Sequence, residues 1–143
     1  MAFASCKSDK NGSENPFFAE WDTPYGVPPF DRIAPAHFLP ALERGMSLHD
    51  AEIDAITSNN DDATFENVIL AYDDSGQMLA QTALIFGMLC EAENTPEMQA
   101  LQEQVMPLLA AHADKIRLNE RLFERVKAVY DQRAALDLDA EQS

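Results

Sequence analysis

The sequence predicts an all-α protein: an antiparallel, bundle-like array of about four helices, preceded by an extended strap rich in proline and aromatic residues. Three observations carry this. Apolar residues recur at spacings of three and four from Pro35 onward. No stretch sustains the two-residue alternation of a half-buried strand. Four of the eight prolines fall between residues 16 and 29, ahead of the helical periodicity. A chain of 143 residues and 15.9 kDa fits one domain, and that length can bury roughly 70% of its unfolded surface. With 46% hydrophobic residues it is not a disordered chain, although the mean hydropathy is only -0.28.

Residues 1–15 read as a polar, flexible leader. Within it Cys6 follows Phe3-Ala4-Ser5 and precedes a stretch running from Lys7 to Asn15. Its place is that of the acylated cysteine in a bacterial lipoprotein box, with a polar tether after it. Phe3 stands where Leu is usual, Ser5 where Gly or Ala is usual, and no basic n-region or apolar core precedes the box. Two readings stay open. Cys6 is a lipidation site in the remnant of a signal, which places the protein at the cell envelope, periplasmic or lipid-anchored; or the box is chance and the protein is cytoplasmic.

Residues 16–30 form the strap. Four prolines and Gly26 forbid a regular helix, and residues before proline are pushed to extended geometry. Five of the chain's twelve aromatics lie here: Phe17, Phe18, Trp21, Tyr25 and Phe30. So much apolar surface must lie against something. Either it covers the bundle's own core or it fastens the domain to another part of a larger protein.

The first helix starts near Pro35, with Phe38, Leu42, Gly45/Met46, His49, Ile53 and Ile56 on one face, and ends near Asn59-Asn60. Pro40 is expected to delay its regular start or kink its first turn. Asp61 to Thr64 supply a turn and a cap. A second helix is expected from Phe65 to Glu91 with Phe65, Val68/Ile69, Tyr72, Leu79, Ala83, Phe86 and Cys90 on its stripe; at 1.5 Å per residue it spans roughly 40 Å. The third begins at Thr95-Pro96-Glu97, a cap, a first-turn proline and an acid on the positive end of the dipole. Its stripe is Met98, Leu101, Val105, Leu108/Leu109, His112 and Ile116, and Pro107 predicts a kink. Asn119 caps a fourth, with Leu122/Phe123, Val126 and Val129/Tyr130, ending near Arg133. Leu138 to Ser143 read either as the start of a further helix or as an acidic, frayed tail.

Charge excludes some functions. Twenty-five Asp and Glu against 10 Lys and Arg give a net -15, which repels nucleic-acid phosphates and anionic membrane surfaces. No run approaches the roughly 20 apolar residues of a spanning helix. Two cysteines make no disulfide framework, and Cys90 reads as a small buried hydrophobe.

Catalytic parts are scarce. None of the three histidines begins a His-Glu-x-x-His zinc motif: His37 is followed by Phe38, His49 by Asp50, and His112 by Ala113. They are spread over two helices and a junction and read as packing or surface residues. Glu-x-x-His pairs of a di-iron bundle are absent, since Ala34, Met46 and Leu109 occupy the three-before positions. Neither a glycine-rich phosphate loop nor a Gly-x-Ser-x-Gly elbow occurs. Asp61-Asp62 and Asp73-Asp74 read as solvated charge without the spacing of a calcium loop. Met78, Met88, Met98 and Met106 read as core filling. Composition and spacing give no catalytic, cofactor-binding or metal-binding residues in this chain.

A family resemblance supplies a context. Asn15-Pro16-Phe17-Phe18, Thr23-Pro24-Tyr25-Gly26-Val27-Pro28-Pro29-Phe30-Asp31 and Ile33-Ala34-Pro35-Ala36-His37-Phe38-Leu39-Pro40-Ala41 resemble the start of bacterial peptidyl-dipeptidases. So do Ala63-Thr64-Phe65-Glu66-Asn67-Val68-Ile69, Asp74-Ser75-Gly76, Leu108-Leu109-Ala110-Ala111-His112 and the run from Leu122 to Tyr130. These are thimet-oligopeptidase-like zinc metallopeptidases, which include oligopeptidase A, and the likeness covers roughly residues 15–143. It implies a parent several times longer and almost wholly helical, with two lobes around a channel. Zinc would be held there by a His-Glu-x-x-His helix and a downstream Glu, and dipeptides would be released from the C-termini of short peptides. No such catalytic position lies in this chain. The resemblance implies that residues 16–143 are a non-catalytic helical N-terminal domain, part of one lobe and of the channel wall. Its partner is then the remainder of the parent peptidase, with Phe17, Phe18, Trp21, Tyr25 and Phe30 as the candidate seam. The other class that fits the residues is a free-standing helical interaction module, lipid-anchored if Cys6 is acylated.

Overall fold

Helix α1 (Pro35–Ser58) is the spine of the molecule, whose residues 15–136 are described by a computed structural model. It is followed by a π-helical stretch, Phe65–Leu70, and one α-turn, Ala71–Asp73, then by α2 (Gln77–Glu93), α3 (Pro96–Arg117) and α4 (Glu120–Asp131). The fold is all-α and bundle-like, with no strand among the described residues. The leader with Cys6 and the segment Leu138–Ser143 lie outside the described residues.

One stripe of α1 feeds two cores. Phe38, Ala41 and Leu42 pack with Ile85 and Phe86 of α2 and with Met98 and Val105 of α3. Ile53 and Ile56, further along, pack with Val68, with Ile116 of α3 and with Leu122 and Val129 of α4. Phe38 is fully buried and its ring lies between Phe17 and Phe86, at centroid distances of 5.3 and 5.1 Å. Helix α1 and α2 approach closely at Gly45, where an added Cβ would lie 2.9 Å from the Leu79 Cα.

Neither internal proline interrupts its helix. Helix α1 starts at Pro35 and runs through Pro40, and α3 runs through Pro107. Both prolines are exposed, as are Ala36 and Glu103 four residues before them. The carbonyl that each proline leaves without an amide partner therefore sits at a solvent-facing position, which softens the penalty.

The second expected helix is two pieces. Thr64 and Asn67 form a reciprocal cap, each side chain accepting the other's backbone N–H at 3.1 and 2.9 Å. The next turn is wide, with the Ala71 N–H donating to the Glu66 carbonyl five residues back. The helix then stops, because Gly76 takes a left-handed φ of 71° and the Ser75 hydroxyl donates to the Tyr72 carbonyl at 2.7 Å. Tyr72, expected on the buried stripe, faces solvent. So do Met88, Met106, Phe123 and Tyr130, at the margins of their stripes; each of these helices buries one face only.

The strap is not extended throughout. Pro16–Phe18 and Pro24–Gly26 are short 3-10 turns, each opened by the fixed φ of its proline. The Asn15 side chain caps the first turn, accepting the Phe17 N–H at 3.1 Å and donating to the His37 carbonyl at 2.9 Å. The Trp21 indole N–H donates to the Pro16 carbonyl at 2.9 Å. Phe17 is buried in the first core, and Phe18 and Trp21 pack against it.

Candidate functional site

The polar centre of the molecule lies where the two cores meet. Along α1 the stripe passes from Leu42 to Ile53 through His49, and along α3 it passes from Val105 to Ile116 through His112. The two imidazoles meet at that level, with His49 Nδ1 3.0 Å from His112 Nε2 and the ring centroids 5.1 Å apart. Spread in sequence, these two histidines are brought together by the fold.

Ser75, Gly76 and Asp50 converge on the pair, with Glu52 and Lys115 tied in behind them. Ser75, in the turn that ends the second helical piece, places its Oγ 3.3 Å from His49 Nε2. Gly76 lies on the His49 ring, where an added Cβ would sit 3.0–3.2 Å from ring atoms. The Gly76 N–H donates to Glu52 Oε2 at 2.7 Å, a second tie from α1 to the turn. Asp50 Oδ1 lies 3.8 Å from His112 Nδ1, and Asp50 Oδ2 accepts from Lys115 Nζ at 2.7 Å. Asp50 Oδ1 is buried with no hydrogen-bond donor.

Burial pushes the His112 pKa below the ordinary imidazole value; Asp50 opposes that shift, while His49 and Lys115 add to it. The arrangement is not a nucleophile with its base. The Ser75 proton is used on a backbone carbonyl at 2.7 Å, while its contact to His49 Nε2 is longer, at 3.3 Å. It is not a zinc centre either. The facing nitrogens of the two rings are used on each other, and Asp50 approaches the other nitrogen of His112. Among the described residues no three His, Cys, Asp or Glu side chains are grouped to hold a metal ion. Zinc does not fit the ligand geometry of this junction.

The third histidine, His37, accepts the Ala34 N–H at Nδ1 over 3.1 Å and so closes the start of α1. Cys90 is a half-buried free thiol packed on the first core, its pKa pushed up by burial. Tyr25 is fully exposed with a left-handed φ of 62°, and Phe30 is 43% exposed. Of the five candidate seam residues, three thus contact the bundle's own core and two face solvent. Arg125 of α4 forms a hub that sequence reasoning missed: Nη1 donates to the carbonyls of Asn59 and Asp61 at 3.1 and 2.7 Å, and Nη2 to Asn67 Oδ1 at 3.2 Å. Beside it an open pocket of about 460 Å³ is lined by Asp61, Asp62, Arg121 and Glu124, among others.

This helical chain is similar to one region of bacterial peptidases. It is 42% identical over 127 residues to the dipeptidyl carboxypeptidase of Escherichia coli (strain K12), which is 89% of this chain and 19% of that relative. The Salmonella typhimurium dipeptidyl carboxypeptidase is 38% identical over 129 residues, 90% of this chain and 19% of the relative. Oligopeptidase A of E. coli is 24% identical over 109 residues, 76% of this chain and 16% of the relative. The chain is a homologue of the N-terminal region of dipeptidyl carboxypeptidase. It spans about a fifth of the length of the curated relatives it matches. No family model matches it.

Proposed function

We propose that this chain is the non-catalytic helical N-terminal domain of a zinc metallopeptidase that releases dipeptides from the C-termini of short peptides. The observation that carries the reading is the 42% identity to a dipeptidyl carboxypeptidase over 127 residues. In this proposal zinc chemistry belongs to residues outside the chain, and the domain contributes to a lobe and to the wall of the substrate channel. The two cores, joined through a single long α1, support the role of a stiff wall.

The strap is then the seam to the rest of the enzyme. Phe17, Phe18 and Trp21 anchor it to the helices, leaving Tyr25 and Phe30 as its outward contacts. A non-glycine residue held at positive φ costs on the order of 1–3 kcal/mol, and here that strain presents a fully exposed aromatic ring. The coding sequence beyond Ser143 tests the main reading. A His-Glu-x-x-His codon pattern in the same frame, with chelator-sensitive release of dipeptides from a short peptide by the encoded protein, is the expected result. A stop codon directly after Ser143 would overturn it and favour the interaction module. For the seam, limited proteolysis should cut between residues 16 and 30 in the isolated chain and spare that stretch in the full enzyme; protection in both would sink it.

A further inference from the structure

The heavy-atom distances favour one hydrogen-bond polarity at the histidine junction, the Ser75 oxygen being closer to the Tyr72 carbonyl than to His49. Ser75 gives its one hydroxyl proton to the Tyr72 carbonyl at 2.7 Å, so at His49 Nε2 its oxygen is the acceptor. His49 Nε2 therefore carries hydrogen, and in the neutral ring Nδ1 is a lone pair. That lone pair accepts the His112 Nε2–H across 3.0 Å. Neutral His112 is left with a bare Nδ1, 3.8 Å from an Asp50 oxygen that is itself buried and without a donor. Two acceptors face each other, and the cluster is one proton short.

We propose that the junction is a proton latch: it takes up a single proton, on Nδ1 of His112 opposite Asp50 Oδ1, and comes apart on the second. The first proton arrives from solvent and forms one N–H bond. His112 then donates from both nitrogens, to the Asp50 carboxylate on one side and to His49 on the other, and from His49 the donors run on through Ser75 to the Tyr72 carbonyl. The second can go only to His49 Nδ1, where it meets the His112 Nε2–H. Two cationic donors 3.0 Å apart cannot remain in contact. His49 then leaves the turn, and the turn loses the ring on which Gly76 rests.

The groups that set the balance come from each packed element. Helix α1 supplies Asp50 beside His112 and Glu52 on the Gly76 amide; α3 supplies Lys115 on Asp50; the turn supplies Ser75. Asp73 and Asp74 precede the turn and are exposed. Because burial leads among the causes and holds His112 below its unfolded value, the unfolded chain binds the proton first. Stability present above the ordinary imidazole pKa is therefore lost as pH falls through the folded one.

Long-range nitrogen–proton NMR of the 143-residue chain, recorded from pH 8 downward, tests the latch. Both rings should be Nε2–H tautomers at pH 8. One should take up a proton while the chain stays folded, and in Asp50→Asn that step should move to lower pH. Charging of the second ring should coincide with at least about tenfold faster exchange of the Gly76 amide. An Nδ1–H tautomer of His49 at pH 8 would overturn the proposal. So would two charged rings with Gly76 still protected, or a first step that Asp50→Asn does not move. The wild-type titration decides the matter even if the variant does not fold.

Discussion

Replacing Gly45 by alanine sets helix propensity against close packing, and the structure says which wins. Gly45 is buried in the interior of α1, where alanine is favoured over glycine by about 1 kcal/mol. The new Cβ would lie 2.9 Å from the Leu79 Cα, 3.1 Å from its N and 3.2 Å from its Cβ. Carbon atoms rest at roughly 3.5–4.0 Å, and two of these three neighbours are backbone of α2, which cannot swing aside as a side chain would. Helix α2 must back away from α1 by about half an ångström along the first core, and overpacking of this kind costs about 1–3 kcal/mol. Set against the propensity gain, the net expectation is a loss of up to about 2 kcal/mol, a fall of up to about 8 °C in melting temperature for a domain of this size. Gly87 is the internal control, since a Cβ there meets nothing within 4 Å. Gly87→Ala should therefore gain about 0.5–1 kcal/mol. Thermal unfolding followed by circular dichroism checks both. Gly45→Ala at or above the wild-type melting temperature, or both variants shifting the same way, would refute the close-approach argument.

Gly76→Ala should destabilise by about 1–3 kcal/mol, because alanine pays for the left-handed φ and its methyl meets the His49 ring; the His49 ring signals should shift with it, whereas a purely local strain would leave them in place. Arg125→Lys should cost about 1–3 kcal/mol, read as a lower urea midpoint, since one ammonium cannot reach acceptors on Asn59, Asp61 and Asn67 together. Between pH 8 and about 5, above most carboxylate titration, the melting temperature should fall as pH is lowered, and His112→Gln should flatten that slope. An unchanged slope would assign the pH dependence to other groups.

Much of this fold is legible in the amino-acid sequence because its helices bury one face each. The 3.6-residue spacing of Phe38, Leu42, Ile53 and Ile56, and of Met98, Val105 and Ile116, states which residues lie inside. The caps at Thr95 and Asn119 are equally readable, and both accept the expected backbone N–H groups. What periodicity does not state is which stripe residues meet across helices. His49 and His112 each hold a core-side position on their own helix, and only the register of α1 against α3 makes them partners 63 residues apart. Arg125 was invisible for the same reason: its three acceptors are loop and cap atoms that no spacing rule places near α4. Stripe margins are not legible either, since a three-or-four spacing cannot separate the buried Val129 from the exposed Tyr130 beside it.

The broken second helix and the histidine junction are one feature with one cause. Tyr72 and Leu79 are seven residues apart, two helical turns, so the apolar pattern carries across Asp74-Ser75-Gly76 without a visible gap. Gly76 was the available signal, being the residue that ends helices in the left-handed conformation. Had the helix continued, residue 75 would have kept its backbone bonds within the helix, and a Cβ-bearing helix would have stood where the His49 ring now rests against Gly76. Stopping there frees the Gly76 amide for Glu52 and turns the Ser75 oxygen toward His49. The same stop lets α2 turn back along α1 at the close approach of Gly45 to Leu79. The two small residues thus act as a pair, Gly45 admitting the helix and Gly76 admitting the ring, with His49 one turn from Gly45 on the same face of α1.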